Sequence, residues 1–448
     1  MDQTNDVVVI EQQSEYVQRV AGIDVAKASA IMCVRLPVAG RPDSGRRVQR
    51  TFAVAARPDS VLDLAGQLAA DGVELVVMES TGVYWKLWFL LLEDAGLRVQ
   101  LVNPRDVKNV PGRPKTDELD AIWPAKLAER GMLRPSFVPP KPVRELRDLT
   151  RLRKVFVEDR SVYRRRVADV LEDAFIKIAD KDDGLTDLFG ASGRDMLDAL
   201  VAGERDPKAL AELARGVLRK KIPKLVRALG GRFTEHHGFQ ISTLLELHDG
   251  LDAKIAGLEA RIQTAIADLD PTPPPDAEHP DRMPLIDRLD EIPGVGRDTA
   301  AVIIAEVGVD PDTFPTPGHP ASWAKVTPRT VQSGAKNTHG PTGKGDRRLK
   351  GALTQAAVTI GRTQTFQGAR YRRLIKRMPK KKAQVAIARN ILEIVWVLIR
   401  DPDARYQHLG ADWHAQRQDR DRSTRDHVRE LQRLGYTVAL TEAAAETA

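Results

Sequence analysis

The chain has 448 residues, enough for two or three domains, each with a core of its own. Its composition, 42% hydrophobic and 29% charged with 5% aromatics, is that of an ordinary globular protein, and the net charge is +7. The single cysteine, Cys33, excludes an internal disulfide framework and a multi-cysteine zinc site; in its apolar surroundings it reads as a buried small hydrophobe. The N-terminus carries no apolar segment, so no secretory signal is expected. The longest apolar run, Ala383 to Ile399, is broken by Gln384, Arg389, Asn390 and Glu393, which reads as an amphipathic helix and not a membrane span. A cytoplasmic location follows by default.

In chain order, Val20–Asp24, Ala30–Leu36 and Val48–Val54 predict three adjacent strands. Val61–Ala70 has helical spacing, Glu74–Met78 predicts a short buried strand, Val83–Ala95 a second helix and Val99–Val102 a further strand. Three early strands followed by alternating helices and strands predict an α/β layer of the ribonuclease-H type. From Pro142 to about Phe175 the pattern is helical. A second long helix runs from about Thr243 to Leu269, its seam formed by Leu247, Leu251, Ile255, Leu258, Ile262 and Ile266. That seam predicts a coiled coil, either folded against the first helix or pairing with another subunit. Pro271 to Pro284 holds six prolines in fourteen residues and breaks all regular structure, which marks a domain boundary. Helices then flank Pro293-Gly294-Val295-Gly296, and a closing helix spans 383–400. The tail carries a polar helix at about 413–434 and an Ala/Glu-rich end.

The charge is unevenly spread. Lys325 to Lys382 holds 16 basic residues and one acid, Asp346. A solvated surface mixes signs, so this stretch, with Lys336, Lys344, Arg347, Arg348, Lys350, Arg372, Arg373, Lys380, Lys381 and Lys382, predicts contact with a phosphate backbone.

Asp24 ends the first strand in Ala-Gly-Ile-Asp-Val-Ala-Lys, and Glu79 ends a later buried strand in Val-Val-Met-Glu-Ser-Thr-Gly. Acids at strand ends project from a sheet rim, where ligands bind. Asp117 and Asp120, three apart, share a face if their segment is helical, with Thr116 as N-cap. Singly each is an ordinary solvated charge. Together they make a hard-oxygen donor set suited to Mg2+ or Mn2+, and two such ions can hold the attacking and leaving oxygens of a phosphodiester. Pro124, four residues after Asp120, predicts a kink in that helix.

The segments Gly22-Ile-Asp24-Val-Ala-Lys27, Met78-Glu79-Ser-Thr-Gly82 and Lys115-Thr-Asp117-x-x-Asp120-Ala121 resemble those of the DEDD transposases of insertion sequences, whose N-terminal domain resembles the RuvC Holliday-junction resolvase. The resemblance implies that Asp24, Glu79, Asp117 and Asp120 are the metal-binding tetrad. Asp290-Glu-Ile-Pro-Gly-Val-Gly296 with Thr299–Ala305 resembles a helix-hairpin-helix, in which Gly294 and Gly296 let backbone N–H groups approach a phosphate; an ordinary interhelical turn is the competing reading. The stretch from Trp323 through Gln332-Ser333-Gly334-Ala335-Lys336 and Gly343-Lys-Gly-Asp to the closing helix resembles the C-terminal domain of the same transposases. There the corresponding serine is the nucleophile, which implies that role for Ser333, with Ser322 and Thr330 as competing hydroxyls.

The fold expected is thus α/β plus all-α: an N-terminal extension (1–17), a RuvC-like DEDD domain (18–140), a helical, coiled-coil region (141–270), a proline-rich linker (271–284), a mainly helical C-terminal domain with a helix-hairpin-helix (285–402) and a C-terminal extension (403–448). The resemblance implies a transposase that acts through a composite of carboxylates and serine, the serine contributed by a partner subunit. A homo-oligomer (dimer or tetramer) and a structured non-coding RNA that selects the DNA are implied with it, and no membrane. Two other readings stay open: a RuvC-like metal-dependent nuclease that hydrolyses branched DNA, and a non-catalytic helix-hairpin-helix nucleic-acid-binding protein.

Overall fold

The computed structural model describes residues 17–40, 45–80, 82–108, 117–179, 185–334, 336–413 and 420–440. The N-terminal extension up to residue 16, Thr116 and the Ala/Glu-rich end (441–448) lie outside the described residues. Two compact units divide at Pro139 and Pro140.

The first unit is built on a five-stranded sheet. Its strands are β1 (Val20–Val25), β2 (Ser29–Pro37), β3 (Arg47–Ala55), β4 (Leu75–Glu79) and β5 (Val99–Val102), in the order β3-β2-β1-β4-β5. The first three are antiparallel neighbours, whereas β4 runs parallel to both β1 and β5. The expected strands and helices are therefore found, each within a few residues. Apart from Asp24 and Glu79 at their ends, the central strands β1 and β4 are apolar, because both faces are covered. The edge strand β3 carries Arg47, Gln49 and Arg50 and is largely exposed, which discourages further strand pairing.

Helices α1 (Pro58–Ala70) and α2 (Trp85–Asp94) cover one face, where Leu64, Leu68, Trp88 and Leu92 meet Ile23, Met32 and Met78. A short α3 (Pro104–Lys108) precedes α4 (Asp117–Glu129), which covers the other face through Ala121, Ile122 and Ala125 against Val77 and Cys33. Pro124 lies inside α4, and the helix runs on past it. Glu129 at its C-terminal end accepts from Arg35 on β2 at 3.1 Å and from Arg47 on β3.

The second unit begins with a helical hairpin. Its arms are α5 (Lys141–Asp173) and, after three shorter helices, α9 (Glu235–Leu269). Arg153 pairs with Glu259 and Arg160 with Asp252, so position falls along α9 as it rises along α5: the arms are antiparallel. The seam thus closes within the chain. Ile255, Ile262 and Ile266 are buried in it as expected, whereas Leu247 is 46% exposed and His248 is buried in its place. Between the arms α6 (Ala191–Val201), α7 (Pro207–Glu212), a 3-10 turn (Gly216–Lys221) and α8 (Ile222–Ala228) form a small bundle, with a core of Met196, Leu197, Leu210 and Leu225 packed on Val167, Leu171 and Ile241.

The α5 helix ends in a reversal: Phe175 N–H donates to Glu172 O at 3.0 Å and Ile176 N–H to Leu171 O at 2.8 Å. The residue at its hinge, Phe175, takes the left-handed conformation with φ 58°, where glycine is the usual occupant.

The rest of the unit is α10 (Leu285–Asp290), α11 (Arg297–Val307), α12 (Gly318–Trp323), β6 (Pro328–Ser333), β7 (Lys336–Thr342), α13 (Arg347–Ile360), α14 (Phe366–Ile375) and α15 (Lys380–Arg400). Ile304, Leu353, Ile387, Ile391 and Val395 share one core with Leu146, Ile262 and Ile266 of the hairpin's base. The proline-rich segment before α10 is mostly exposed and is tied by Arg288, which is fully buried and donates to Thr272 Oγ1 and to the carbonyls of Leu398 and Asp401. This part is mainly helical, as expected, and also carries the two-stranded β6–β7 hairpin. A further helix, Arg420–Arg433, matches most of the polar helix expected in the tail.

Candidate active site

Two of the four acids are brought together by the sheet itself. Ile23 pairs with Met78 across the parallel ladder of β1 and β4, so the next position up sets Asp24 beside Glu79 on strands roughly 4.8 Å apart. Side chains two apart on a strand share a face. Gly22 faces α4, since a Cβ there would come within 2.3 Å of the Ala121 carbonyl oxygen, and Val77 packs on Ala121 and Ala125. Asp24 and Glu79 therefore lie on the α4 side, at the ends of their strands. Glu79 is buried and Asp24 half-buried. Asp120 belongs to the first turn of α4, next to the Ala121 that rests on Gly22, and is half-buried as well. Asp117 begins α4, three residues earlier; its side chain lies outside the described residues.

The oxygens of Asp24, Glu79 and Asp120 are not all within 4.8 Å of one another; among the described residues only His248, Asp249 and Asp252 reach that closeness. The latter group is held by cations and a ring. Asp249 accepts from Arg194 at 2.7 and 2.8 Å, Asp252 pairs with Arg160, and His248 stacks on Phe189 at 4.4 Å. The Arg194 contact holds the Asp249 carboxyl below the usual carboxylate range. These contacts make it an ion-pair cluster of the α5–α9 hairpin.

In the second unit Ser333 is the last residue of β6, in register with Lys336 across the hairpin turn. The side chains of Ser333, Thr330 and Lys336 lie outside the described residues. Ser322 is in α12, on a different element. Downstream, Asp346 is the N-cap of α13 and accepts from the N–H groups of Arg348 and Leu349 at 2.8 and 2.7 Å. It follows that Arg347 and Arg348 stand exposed on the first turn of α13, as Lys380, Lys381 and Lys382 do on α15. Lys344 is exposed and Arg373 half-buried. Lys350 and Arg372 are engaged locally, Lys350 Nζ on Gly343 O at 3.1 Å and Arg372 on Thr363 O at 2.8 Å.

The Pro293–Gly296 turn does join two helices, α10 and α11. Gly294, at φ 81°, is a packing glycine: a Cβ there would meet Ala356 O of α13 at 2.6 Å. Gly296 is exposed with open space above it, and of the two it alone leaves room for a phosphate.

One group that the sequence reading missed is Glu306 of α11, buried at 1% exposure. Arg151 donates to both of its carboxylate oxygens at 3.0 Å, and Arg147 lies 3.2 Å away. Arg151 also reaches Asp346 at 3.8 Å, so one arginine links α5, α11 and the cap of α13. A lone acid in Ala-Val-Ile-Ile-Ala-Glu-Val was the available signal.

Comparison with known proteins agrees with this layout. Residues 21–176 match the family model of DEDD transposases of the IS110 type, described as "Transposase", and residues 286–372 match the model described as "Transposase IS116/IS110/IS902 family". The two stand in the expected order and together span more than half of the chain. The chain belongs to the DEDD transposase family of insertion elements.

Over 121 residues, the chain is 34% identical to the "Insertion element IS110 uncharacterized 43.6 kDa protein" of Streptomyces coelicolor, covering 26% of this chain and 29% of that one. It is 34% identical over 116 residues to the "Pilin gene-inverting protein" of Moraxella bovis, covering 25% and 36%. The "Transposase for insertion sequence element IS1111A" of Coxiella burnetii is 26% identical over 388 residues, which covers 85% of this chain and 89% of that one. The matched segments of the first two thus span about a third of those relatives. Membership of the DEDD family implies a divalent metal, and hard carboxylate oxygens in register on two parallel strands are suitable donors for one. No helix among the described residues is long and apolar enough to cross a membrane.

Proposed function

We propose that this protein is a DNA transposase that cuts and rejoins strands, using Asp24, Glu79, Asp117 and Asp120 to hold Mg2+ or Mn2+ and Ser333 as nucleophile. The observation that carries the reading is the register of β1 and β4, which pairs Ile23 with Met78 and so brings the next residues, Asp24 and Glu79, side by side on the face that also receives the first turn of α4. The sheet order, three antiparallel strands extended by two parallel ones, supports a ribonuclease-H-like, RuvC-type first domain. The turn between α10 and α11 supports a helix-hairpin-helix, with Gly296 as the position open to a phosphate.

In this mechanism the carboxylates bind and orient; a divalent cation held there supplies positive charge against the charge that develops on the phosphate. Ser333 Oγ bonds to phosphorus as the bond from phosphorus to a sugar oxygen breaks, and the released sugar hydroxyl takes up a proton. A hydroxyl of the incoming strand then displaces the serine, so the phosphodiester is conserved. Arg347, Arg348, Lys380, Lys381 and Lys382 hold the DNA backbone. Cations in the first turn of a helix oppose its dipole, and an anionic partner at α13 and α15 relieves that opposition. A structured non-coding RNA guides the choice of DNA, and the enzyme works as a homo-oligomer.

The test is strand exchange on a DNA carrying the element's ends, in Mg2+, with Glu79→Gln and Asp117→Asn. Both variants are expected to fold and to lose all product. Full activity in either removes the carboxylate assignment. Metal-dependent cleavage by the wild type with no protein–DNA adduct identifies a hydrolytic nuclease instead.

A further inference from the structure

A second basic surface lies far from the 325–382 stretch in sequence. Between Glu212 and Glu235 the chain carries seven basic residues and no acid. This run forms the 3-10 turn Gly216–Lys221, helix α8 and the turn after it. Arg215 and Arg219 are paired with Asp195 and Glu212. Lys220, Lys224, Arg227 and Arg232 are exposed, and Lys224 and Arg227, three apart, share a face of α8.

An aromatic ring stands at the C-terminal end of this helix. Arg232 N–H donates to Ala174 O at 2.8 Å, and Lys177 N–H donates to Ala228 O at 2.8 Å. These bonds set Phe175 between the two, with 61% of its surface exposed. A Cβ on Gly231 would lie 3.1 Å from the Phe175 carbonyl carbon, so the two backbones are in contact. Of the acids beside the ring, Glu172 pairs with Lys177, and Asp173 lies 3.6 Å from the His237 ring. Packing does not account for Phe175: it is exposed, and it occupies a left-handed position that a glycine would fill without strain. Proline and glycine apart, a large apolar ring is among the least favourable choices there.

We infer that Phe175 and the basic run around α8 bind single-stranded nucleic acid, the ring stacking on an unpaired base while Lys220 of the preceding turn, Arg227 of α8 and Arg232 of the following turn hold the adjoining phosphates. Every base offers a π-face, so stacking on an exposed ring needs no particular sequence, and exposed cations on successive turns can track the backbone. Duplex DNA keeps its bases stacked on each other and offers this ring nothing. The ligand chemistry is that of unpaired nucleotides, from a loop of RNA or from a displaced DNA strand. The inference concerns binding alone and does not depend on the carboxylates or on Ser333.

The experiment measures binding of the full-length protein to labelled oligothymidylate, oligouridylate and a mixed-sequence duplex by fluorescence anisotropy, across a salt series. Phe175→Gly is the central variant, because glycine suits the left-handed position and the protein is expected to melt no earlier than the wild type. It is expected to bind the single strands roughly tenfold more weakly and the duplex unchanged. Neutralising Lys220, Arg227 and Arg232 together to Gln is expected to reduce the single-strand salt slope by about 2, near 0.7 per phosphate contact. A larger loss for oligouridylate assigns the site to RNA, and one for oligothymidylate to displaced DNA. Unchanged single-strand affinity in Phe175→Gly overturns the inference. A loss that instead follows a change in molecular mass by light scattering also overturns it, and gives this face to a second copy of the chain.

Discussion

Gly22 of β1 and Ala121 of α4 are in backbone contact, so close that a Cβ on Gly22 would stand 2.3 Å from the Ala121 carbonyl oxygen. The contact fixes where the first turn of α4, and with it Asp120, meets the strand that ends in Asp24. Gly22→Ala must push the helix off the sheet, because the obstruction is backbone and cannot rotate away. The expected result is a loss of about 1–3 kcal/mol of stability, the usual range for overpacking, together with loss of metal-dependent strand cleavage. Urea unfolding and a cleavage assay on the same preparation check both. A stable, active Gly22→Ala variant would mean that α4 does not set the site.

The first turn of α15 tests the basic surface. Replacing Lys380, Lys381 and Lys382 by Gln is expected to weaken binding to all duplex sequences alike. The log–log salt slope should fall by roughly 0.9 per phosphate contact removed. Folding stability should hold or rise slightly, since cations oppose the dipole at a helix N-terminus. An unchanged slope in filter binding between low and moderate salt would assign these lysines to solvent.

Cys33 is a probe of the sheet. It is fully buried, and burial pushes its thiol up to about 11 from an ordinary 9.0. The unfolded chain then gives up the thiol proton more readily than the folded one. The contribution is present below pH 9 and is lost as pH rises from about 9 towards 11. Wild type is therefore expected to lose more stability over that window than Cys33→Ala, compared by urea unfolding at each pH. Equal slopes would show the thiol to be solvated.

The sheet was legible because β1 and β4 are apolar on both faces up to the acid near each strand's end, a pattern that period and length reveal together. The long arms α5 and α9 were legible from spacings of three and four. The seam was misplaced at Leu247 because a count of apolar residues cannot see His248. That imidazole is buried with Phe189 stacked on it and its Nδ1 facing Asp249 and Asp252 at 3.2 and 3.4 Å. The β6–β7 hairpin gave no strand signal: Pro328-Arg-Thr-Val-Gln-Ser333 and Lys336-Asn-Thr-His-Gly-Pro-Thr342 lack apolar alternation and contain Gly and Pro. The basic run around α8 was hidden because the acids of the neighbouring helices balance it when the whole helical region is summed. Asp24 and Glu79 were named from their strand-end positions, but their pairing needed the ladder register, which no single strand contains.

Ser333 carries the central claim. Its place is the end of β6, across from Lys336, in the part of the chain that holds one acid among 58 residues. The most direct measurement is mass spectrometry of the protein trapped on a DNA carrying the element's ends, with Ser333→Ala beside the wild type. The wild type is expected to yield a peptide joined to DNA through Ser333, while Ser333→Ala binds the DNA normally and yields neither adduct nor recombinant. An adduct on Ser322, Thr330 or a tyrosine, or wild-type turnover by Ser333→Ala, would contradict the account.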